Sequence, residues 1–324
     1  MENDSKKTQP SKETIATIKA VMKGPNEVLS FNHPFIEYPQ LASIKMDGFR
    51  LLNLCGEHLL SPALKPFPNR NMTSHMQAFL DFCQQERIVT DGEFWSPTLT
   101  FQQLQSIVRS HNATIPSDVQ YHIFDIMSEN EWNCESEQTF VHRYLNYKST
   151  LAGFEHVRLV EQWHIVDAGE AETFFNEQIE LGQEGMILRS PNAKYKHGRT
   201  TIRQDGMWKF KEFLTHDAII VGIEQGERMR EGIVRTLDGQ GKLERTYRQD
   251  DYELVDMVGA FWVEQDGLRF KVKPGKGHDN SWKRDVWNNR ESLLGKHLEY
   301  KFMPHGTMDK PRIGNLVRLR PDLD

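Results

Sequence analysis

Apolar residues first recur at helical spacing at Ile15, Ile18 and Met22, which predicts a short helix over residues 11–22, ended by Gly24-Pro25. Over 41–54 the pattern changes to short apolar runs after polar clusters, and similar runs at 87–90, 119–126 and 186–189 predict strands. Between them, the periods over 73–83, 101–110, 139–151 and 170–181 predict helices. After Phe213 the pattern shortens: 218–223, 232–236, 259–263, 268–272 and 297–302 read as strands separated by Gly-rich or charged turns. That spacing predicts a small all-β barrel following a mixed α and β part. The expected class is therefore α+β, with an N-terminal extension over 1–30, a first domain over 31–213 and a barrel over 214–324.

Length agrees with two domains, since 324 residues at about 150 per domain allow that number. Composition is that of a globular protein, 38 % hydrophobic and 27 % charged. A mean hydropathy of -0.63 and the lack of an 18-residue apolar run give no transmembrane helix. The N-terminal residues lack the basic, apolar, small-residue order of a signal peptide, which predicts an intracellular protein. Cys55, Cys83 and Cys134 are too scattered for a disulfide framework or a paired metal motif and suit a reducing compartment. The net charge of -6 hides a split, because residues 269–320 hold thirteen Lys or Arg against five Asp or Glu. A basic C-terminal segment on an acidic body predicts a face that meets phosphates.

The strongest chemical signal is Lys45-Met46-Asp47-Gly48-Phe49-Arg50. A lysine beside a tight Asp-Gly turn is either a nucleophile aimed into a cleft or an ordinary exposed side chain next to a β-turn. The order of further elements favours the first reading: Asp91-Gly92-Glu93-Phe94, Tyr121 to Ile126 around Phe124, Glu184-Gly185-Met186-Ile187-Leu188-Arg189, Trp208-Lys209-Phe210-Lys211, then Pro311-Arg312 and Arg318-Leu319-Arg320. Together these resemble the motifs of the covalent nucleotidyltransferases, and most closely the ATP-dependent DNA ligases of the compact, phage-like kind. The resemblance runs from about Phe31 to Pro321 and includes the text Phe101 to Ser106. It implies a nucleotidyltransferase domain followed by an OB-fold barrel, and the lysine that becomes adenylylated falls on Lys45.

A free lysine has a pKa near 10.4, so only about one in 2,500 is a neutral amine at pH 7, a deficit of roughly 4.6 kcal/mol. Neighbouring cations lower that cost, and Lys209, Lys211 and a divalent metal ion are the candidates. By resemblance, Lys209 and Lys211 contact the α-phosphate, Glu93 serves ribose and metal, Glu184 serves metal, and Phe124 stacks on adenine. Phe124 also reads as a core residue of an interior strand, and both readings stand here. Ile44, Arg50 and Arg189 complete the nucleotide set. Arg312, Arg318 and Arg320 resemble the motif that orients pyrophosphate; the alternative is a basic strand facing DNA. Lys194, Lys196, Arg199, Lys273 and Lys276 are the expected contacts to the DNA backbone.

One position departs from the family pattern: Pro62 stands where an arginine is expected, so either Lys65 or Arg70 substitutes or the contact to the acceptor strand or nucleotide is weaker. The resemblance implies ATP as substrate, Mg²⁺ (or Mn²⁺) as cofactor, nicked duplex DNA as partner, a monomer, no membrane, and the cytoplasm of a bacterial host if the source is a phage. An RNA ligase or capping guanylyltransferase of the same superfamily is the nearest alternative, and a non-catalytic nucleic-acid-binding OB protein is the alternative of another class.

Overall fold

The structure, a computed structural model, describes residues 19–25, 30–134, 137–204, 206–233, 248–275, 277–304 and 311–320. The chain forms two compact units that meet in sequence at Phe210 and Lys211. In chain order the elements up to that point are β1 (Gln40–Ile44), β2 (Phe49–Leu54), β3 (His58–Leu60), α1 (Asn71–His75), α2 (Gln77–Gln85), β4 (Ile88–Trp95), α3 (Phe101–Arg109), β5 (Gln120–Ser128), α4 (Glu129–Cys134), α5 (Phe140–Leu151), β6 (Val157–Leu159), β7 (Trp163–Ile165), α6 (Ala168–Glu180), β8 (Gly185–Arg189) and β9 (Met207–Lys211). The second unit holds β10 (Leu214–Met229), β11 (Tyr252–Gln265), β12 (Leu268–Val272), α7 (Asn280–Asn288), α8 (Arg290–Leu293), β13 (His297–Met303) and β14 (Arg312–Arg320).

The first unit carries two sheets, ordered β3-β2-β4-β5-β6 and β7-β1-β8-β9. Helix ends are fixed by side chains: at α3, Thr100 accepts from the Gln103 amide while the Gln103 side chain accepts from the Thr100 amide, a reciprocal capping box. At α6, Asp167 accepts from the Glu170 amide. Leu51, Phe94, Tyr121 and Ile123 of the five-stranded sheet pack with Phe79, Leu80, Leu104 and Val108 of the helices. Ala42, Met186, Leu188, Trp208 and Phe210 of the four-stranded sheet pack with Ala171 and Phe174 of α6. The remaining faces of β1, β8 and β9 are thereby left for other work.

In the second unit the strand order is β12-β11-β10-β13-β14, an OB-like sheet. Its outer strands touch through one parallel bridge, in which the Lys273 amide donates to the Gly314 carbonyl (3.1 Å) and the Leu316 amide donates to the Lys273 carbonyl (2.8 Å). The expected all-β composition is corrected here, because α7 supplies Val286 to the core made by Ile220, Phe261, Val263, Leu298 and Tyr300. Asp279 caps α7 by accepting from the Trp282 amide at 2.8 Å, and this Asp followed by Trp282 and Val286 four apart was the available sequence signal.

Three other expectations change. Residues 11–18 of the expected N-terminal helix lie outside the described residues, and 19–22 are extended. Val21 and Met22 are buried together, and Lys23 bridges Arg199 instead of closing a helical turn. The helix expected over 73–83 is divided at Met76, whose φ of -124° and ψ of 24° interrupt it. Of the strand expected over 232–236, Gly232 lies in a turn at φ +82°, and 234–236 are outside the described residues.

Asp125 of β5 is buried between Arg143 and Arg189: Arg143 donates through Nε (2.8 Å) and Nη2 (3.1 Å), and Arg189 Nη2 donates to the other side. Burial pushes its carboxyl up, but the two guanidiniums outweigh this and hold it below the ordinary aspartate value. A depressed folded value means that the stabilisation is complete above the unfolded aspartate range and is lost as pH falls below it. Asp125→Asn is expected to cost about 3–5 kcal/mol in urea unfolding at pH 7, the cost of leaving buried charge unpaired. The difference from the unaltered protein should shrink below about pH 4, where Asp125 becomes neutral first in the unfolded chain and then, at lower pH, in the folded one.

Candidate active site

Lys45 follows β1, and its amide donates to the Gly185 carbonyl at 2.9 Å, next to the pair Ile44 and Met186 of β1 and β8. This brings Lys45 against Glu184: Lys45 Nζ donates to Glu184 Oε2, with Glu184 buried. The turn after Lys45 lies directly on β4. A Cβ on Gly48 would stand 2.6 Å from the Phe94 carbonyl oxygen and 2.9 Å from Glu93 Cγ, so any side chain there would push the lysine loop off the strand.

Across β2, β4 and β5, Arg50 stands opposite Glu93, and Glu93 opposite His122. Arg50 is clamped by Asp91, donating Nε to Oδ1 (2.8 Å) and Nη2 to Oδ2 (2.6 Å), and its Nη2 also reaches the Met22 carbonyl (2.5 Å). Its guanidinium lies 5.1 Å from the centre of the Phe124 ring. Phe124 is half-buried and points away from the core taken by Tyr121 and Ile123. Its backbone is held too, because Arg189 Nη1 donates to the Phe124 carbonyl (3.2 Å).

These side chains border a cavity of about 260 Å³, lined by Lys23, Gly24, Ser43, Ile44, Lys45, Met46, Arg50, Glu93, Phe124, Phe140, Val160, Gln162, Ile187, Arg189, Arg199, Met207 and Lys209. Six of the lining side chains are basic and one, Glu93, is acidic. Phe124, Ile187 and Met207 supply apolar wall, so the chemistry suits a flat apolar ring carrying phosphates. Arg189 Nε is a buried donor with no hydrogen-bond partner in this wall.

The structure thus gathers Ile44, Lys45, Arg50, Glu93, Phe124, Arg189 and Lys209 at one cavity, with Glu184 bound to Lys45. Lys211, two residues beyond Lys209 on β9, is not among the lining residues. Arg199, expected among the contacts to DNA, lines the cavity, and its Nη1 donates to the Gly24 carbonyl (2.7 Å). Lys194 pairs with Glu137, Lys196 donates to Gln204, and the Lys273 side chain is exposed. Lys276 lies outside the described residues. Within the second unit, Arg318 Nε (2.7 Å) and Arg320 Nη2 (3.0 Å) both donate to Glu299 Oε2, and Arg320 also pairs with Asp217; Arg312 lies on the same strand, β14. Sequence reading missed Lys23 and Gly24, because it assigned the preceding residues to a helix, and missed Asp91 and Tyr195 as holders of Arg50.

Glu93 and Glu184 fit a small hard cation. Among the described residues no group of three or more His, Cys, Asp or Glu is gathered, so the protein would supply two carboxylates and leave other positions to phosphate oxygens and water, as Mg²⁺ sites do. Burial pushes Glu93 up to about 7, and the nearby Glu184 and Asp91 add to this against the pull of Lys45 and Arg50.

Residues 26–211 match the family model of the ATP-dependent DNA ligase domain, and the chain belongs to that family. It is 26 % identical over 142 residues to a DNA ligase of Pyrobaculum islandicum and 30 % identical over 119 residues to one of Haloarcula marismortui. These stretches cover 42 % and 35 % of this chain, but only 24 % and 20 % of those proteins. In fold it is similar to the structure named Pmar-Lig_Pre (TM-score 0.71, 20 % identity, 94 % of this chain and 68 % of that one). It is also similar to a Lig E DNA ligase described as binding DNA with a minimal scaffold (TM-score 0.63, 20 % identity, 92 % and 99 %).

An elevated folded pKa at Glu93 means that stability is lost as pH rises from the ordinary glutamate range through about 7, because the folded chain must then bury the charge. Glu93→Gln is therefore expected to stabilise the ligand-free protein by about 1–3 kcal/mol at pH 8 and by nothing at pH 4. Thermal unfolding at the two pH values checks this.

Proposed function

We propose that the protein is an ATP-dependent DNA ligase that seals 3'-hydroxyl, 5'-phosphate nicks in duplex DNA. The observation that carries this reading is Lys45 held against Glu184 at a cavity with six basic side chains and a half-buried aromatic ring, in a chain of the ligase-domain family.

Lys45 attacks the α-phosphorus of ATP, forming the N–P bond as the bond to pyrophosphate breaks. The nucleotide then passes to the 5'-phosphate of the nick, and the 3'-hydroxyl displaces AMP. Phe124 stacks the adenine, while Ile187 and Met207 exclude water from its other edges. Arg50, held by Asp91, and Lys209 face the phosphates as charge moves onto them. In the ligand-free site Lys45 Nζ donates to Glu184, so the carboxylate must exchange partners before attack. A bound Mg²⁺, held by Glu93 and Glu184, would take over that carboxylate and neutralise charge on the phosphates.

The second unit acts as an OB-fold barrel. Arg318 and Arg320, which share Glu299, exchange it for pyrophosphate during the first step together with Arg312 of the same strand, while Lys211 joins Lys209 on the α-phosphate. Lys194, Lys196, Lys273 and Lys276 track the DNA backbone, so grip on the nick is salt-dependent and insensitive to sequence. The enzyme acts as a monomer.

Incubation with α-labelled ATP and Mg²⁺, followed by nicked duplex DNA, tests the reading: label should join the denatured protein and leave it as the strand is sealed. Labelling by GTP would place the protein with capping enzymes. Lys45→Ala should abolish the label entirely. Arg318→Ala or Arg320→Ala should slow self-adenylylation by roughly 10- to 100-fold, the range for losing a charge-stabilising donor, and affect sealing of a pre-adenylylated nick less. Equal loss in both steps would contradict the role given to these arginines.

A further inference from the structure

The wall of the cavity formed by Lys23 and Gly24 belongs to the segment over 19–25, which among the described residues lies in no helix or named strand. It is held by scattered bonds. The Lys23 amide donates to the Gly198 carbonyl (2.8 Å), the Gly198 amide to the Ala20 carbonyl (3.2 Å) and the Thr200 amide to the Lys23 carbonyl (2.8 Å). The Met22 amide donates to the buried Tyr195 hydroxyl (3.0 Å), which itself donates to Asp91 (2.6 Å), the carboxylate that clamps Arg50. Placement of this segment and of Arg50 is therefore one problem.

His197 is the residue at which this arrangement makes a demand on chemistry. Its Nδ1 lies 3.1 Å from the Ala20 carbonyl oxygen and its Nε2 lies 2.9 Å from the Trp132 carbonyl oxygen in the last turn of α4. A carbonyl oxygen only accepts, and a neutral imidazole carries one N–H, so both contacts are hydrogen bonds only if the ring is an imidazolium. The Trp132 ring stands nearly perpendicular to it at 4.5 Å, and the Tyr195 ring is 5.6 Å away. Among described residues, the charged or titratable groups on the elements packed around it include Lys19, whose Nζ is taken by the Asn133 carbonyl, Lys23, Lys196, bonded to Gln204, Arg199 on the Gly24 carbonyl, Tyr195 on Asp91, and on α4 Glu129, paired with Arg87, Glu131, which accepts from Ser128, and Cys134.

We propose that His197 is a positioning residue which, as an imidazolium, ties the segment over 19–25 to α4 and so holds the Lys23 and Gly24 wall of the nucleotide cavity in place. Loss of the second proton turns one ring lone pair toward a carbonyl oxygen and breaks one of the two ties. The wall is then complete while the ring carries both protons and loosens as the ring deprotonates. The consequence for ATP rests on the ligase reading; the tie itself does not.

The test uses the full chain. Side-chain nitrogen NMR of the ligand-free protein at pH 6 should show two N–H groups on His197, and amide exchange at Met22 and Lys23, corrected for intrinsic rates, should quicken as the ring titrates. In His197→Gln that exchange should be fast at every pH, and ATP binding at pH 6 should weaken roughly tenfold, the worth of one hydrogen bond to a charged group, with the gap closing at alkaline pH. A single N–H on His197 at pH 6, or the same exchange profile in the variant, would overturn the proposal. If the ties titrate as described but the unaltered protein binds no ATP, the ligase reading fails and the positioning role of His197 stands.

Discussion

Asp91 of β4 and Asp125 of β5 face each other across the sheet, both buried, and most of the site hangs on how their charges are matched. Burying a carboxylate costs several kcal/mol unless it is paired and its lone pairs are filled. Asp91 takes Arg50 and the Tyr195 hydroxyl, and Asp125 takes Arg143 and Arg189. These partners carry the cavity with them: Arg50 lies over Phe124, Arg189 holds the Phe124 carbonyl and rests 3.9 Å from the Phe140 ring, and Tyr195 with Arg50 brackets Met22. Arginines that reading by motif sends to the ligand are thus committed first to the protein. Their fixed orientation is what a preorganised phosphate site requires, because the donors need not reorganise as charge develops.

The same electrostatics explain why the site is arranged around an acid at all. Six cations at one cavity suit polyphosphate, and Glu93 in the wall and Glu184 on Lys45 set two carboxylates among them. Glu93 bears the cost, since its burial favours the neutral acid. The lysine loop, pressed onto β4 by Gly48, keeps Lys45 close to both carboxylates.

Much of this was legible in the chain. Arg50, Glu93, Phe124, Arg189 and Lys209 converge because each occupies the cavity side of a strand whose alternate residues fill the core, and Lys45 joins them one residue past the end of β1. Phe124 was ambiguous only because strand alternation does not say which face is wet. What escaped was non-local. The segment over 19–25 has apolar spacing that suits a helix, yet its amides and carbonyls are satisfied by residues near 195–200, far away in sequence. Asp91 sits in the Asp91-Gly92-Glu93-Phe94 element, yet nothing in that text shows that it holds Arg50, and Tyr195 carries no pattern of its own. In the second unit, α7 was masked by its charge, since Lys283 and Arg284 fall within the basic segment read as a phosphate-facing face, while Asp279 and Val286 marked the helix.

The most direct measurement is to locate the nucleotide. Protein incubated with ATP and Mg²⁺, then digested and sequenced by mass spectrometry, should carry AMP on Lys45 alone, and brief addition of nicked duplex DNA should remove it. AMP on a different lysine, or a Lys45 adduct unchanged by nicked DNA while a sealed strand appears, would contradict the assignment of Lys45 as the nucleophile.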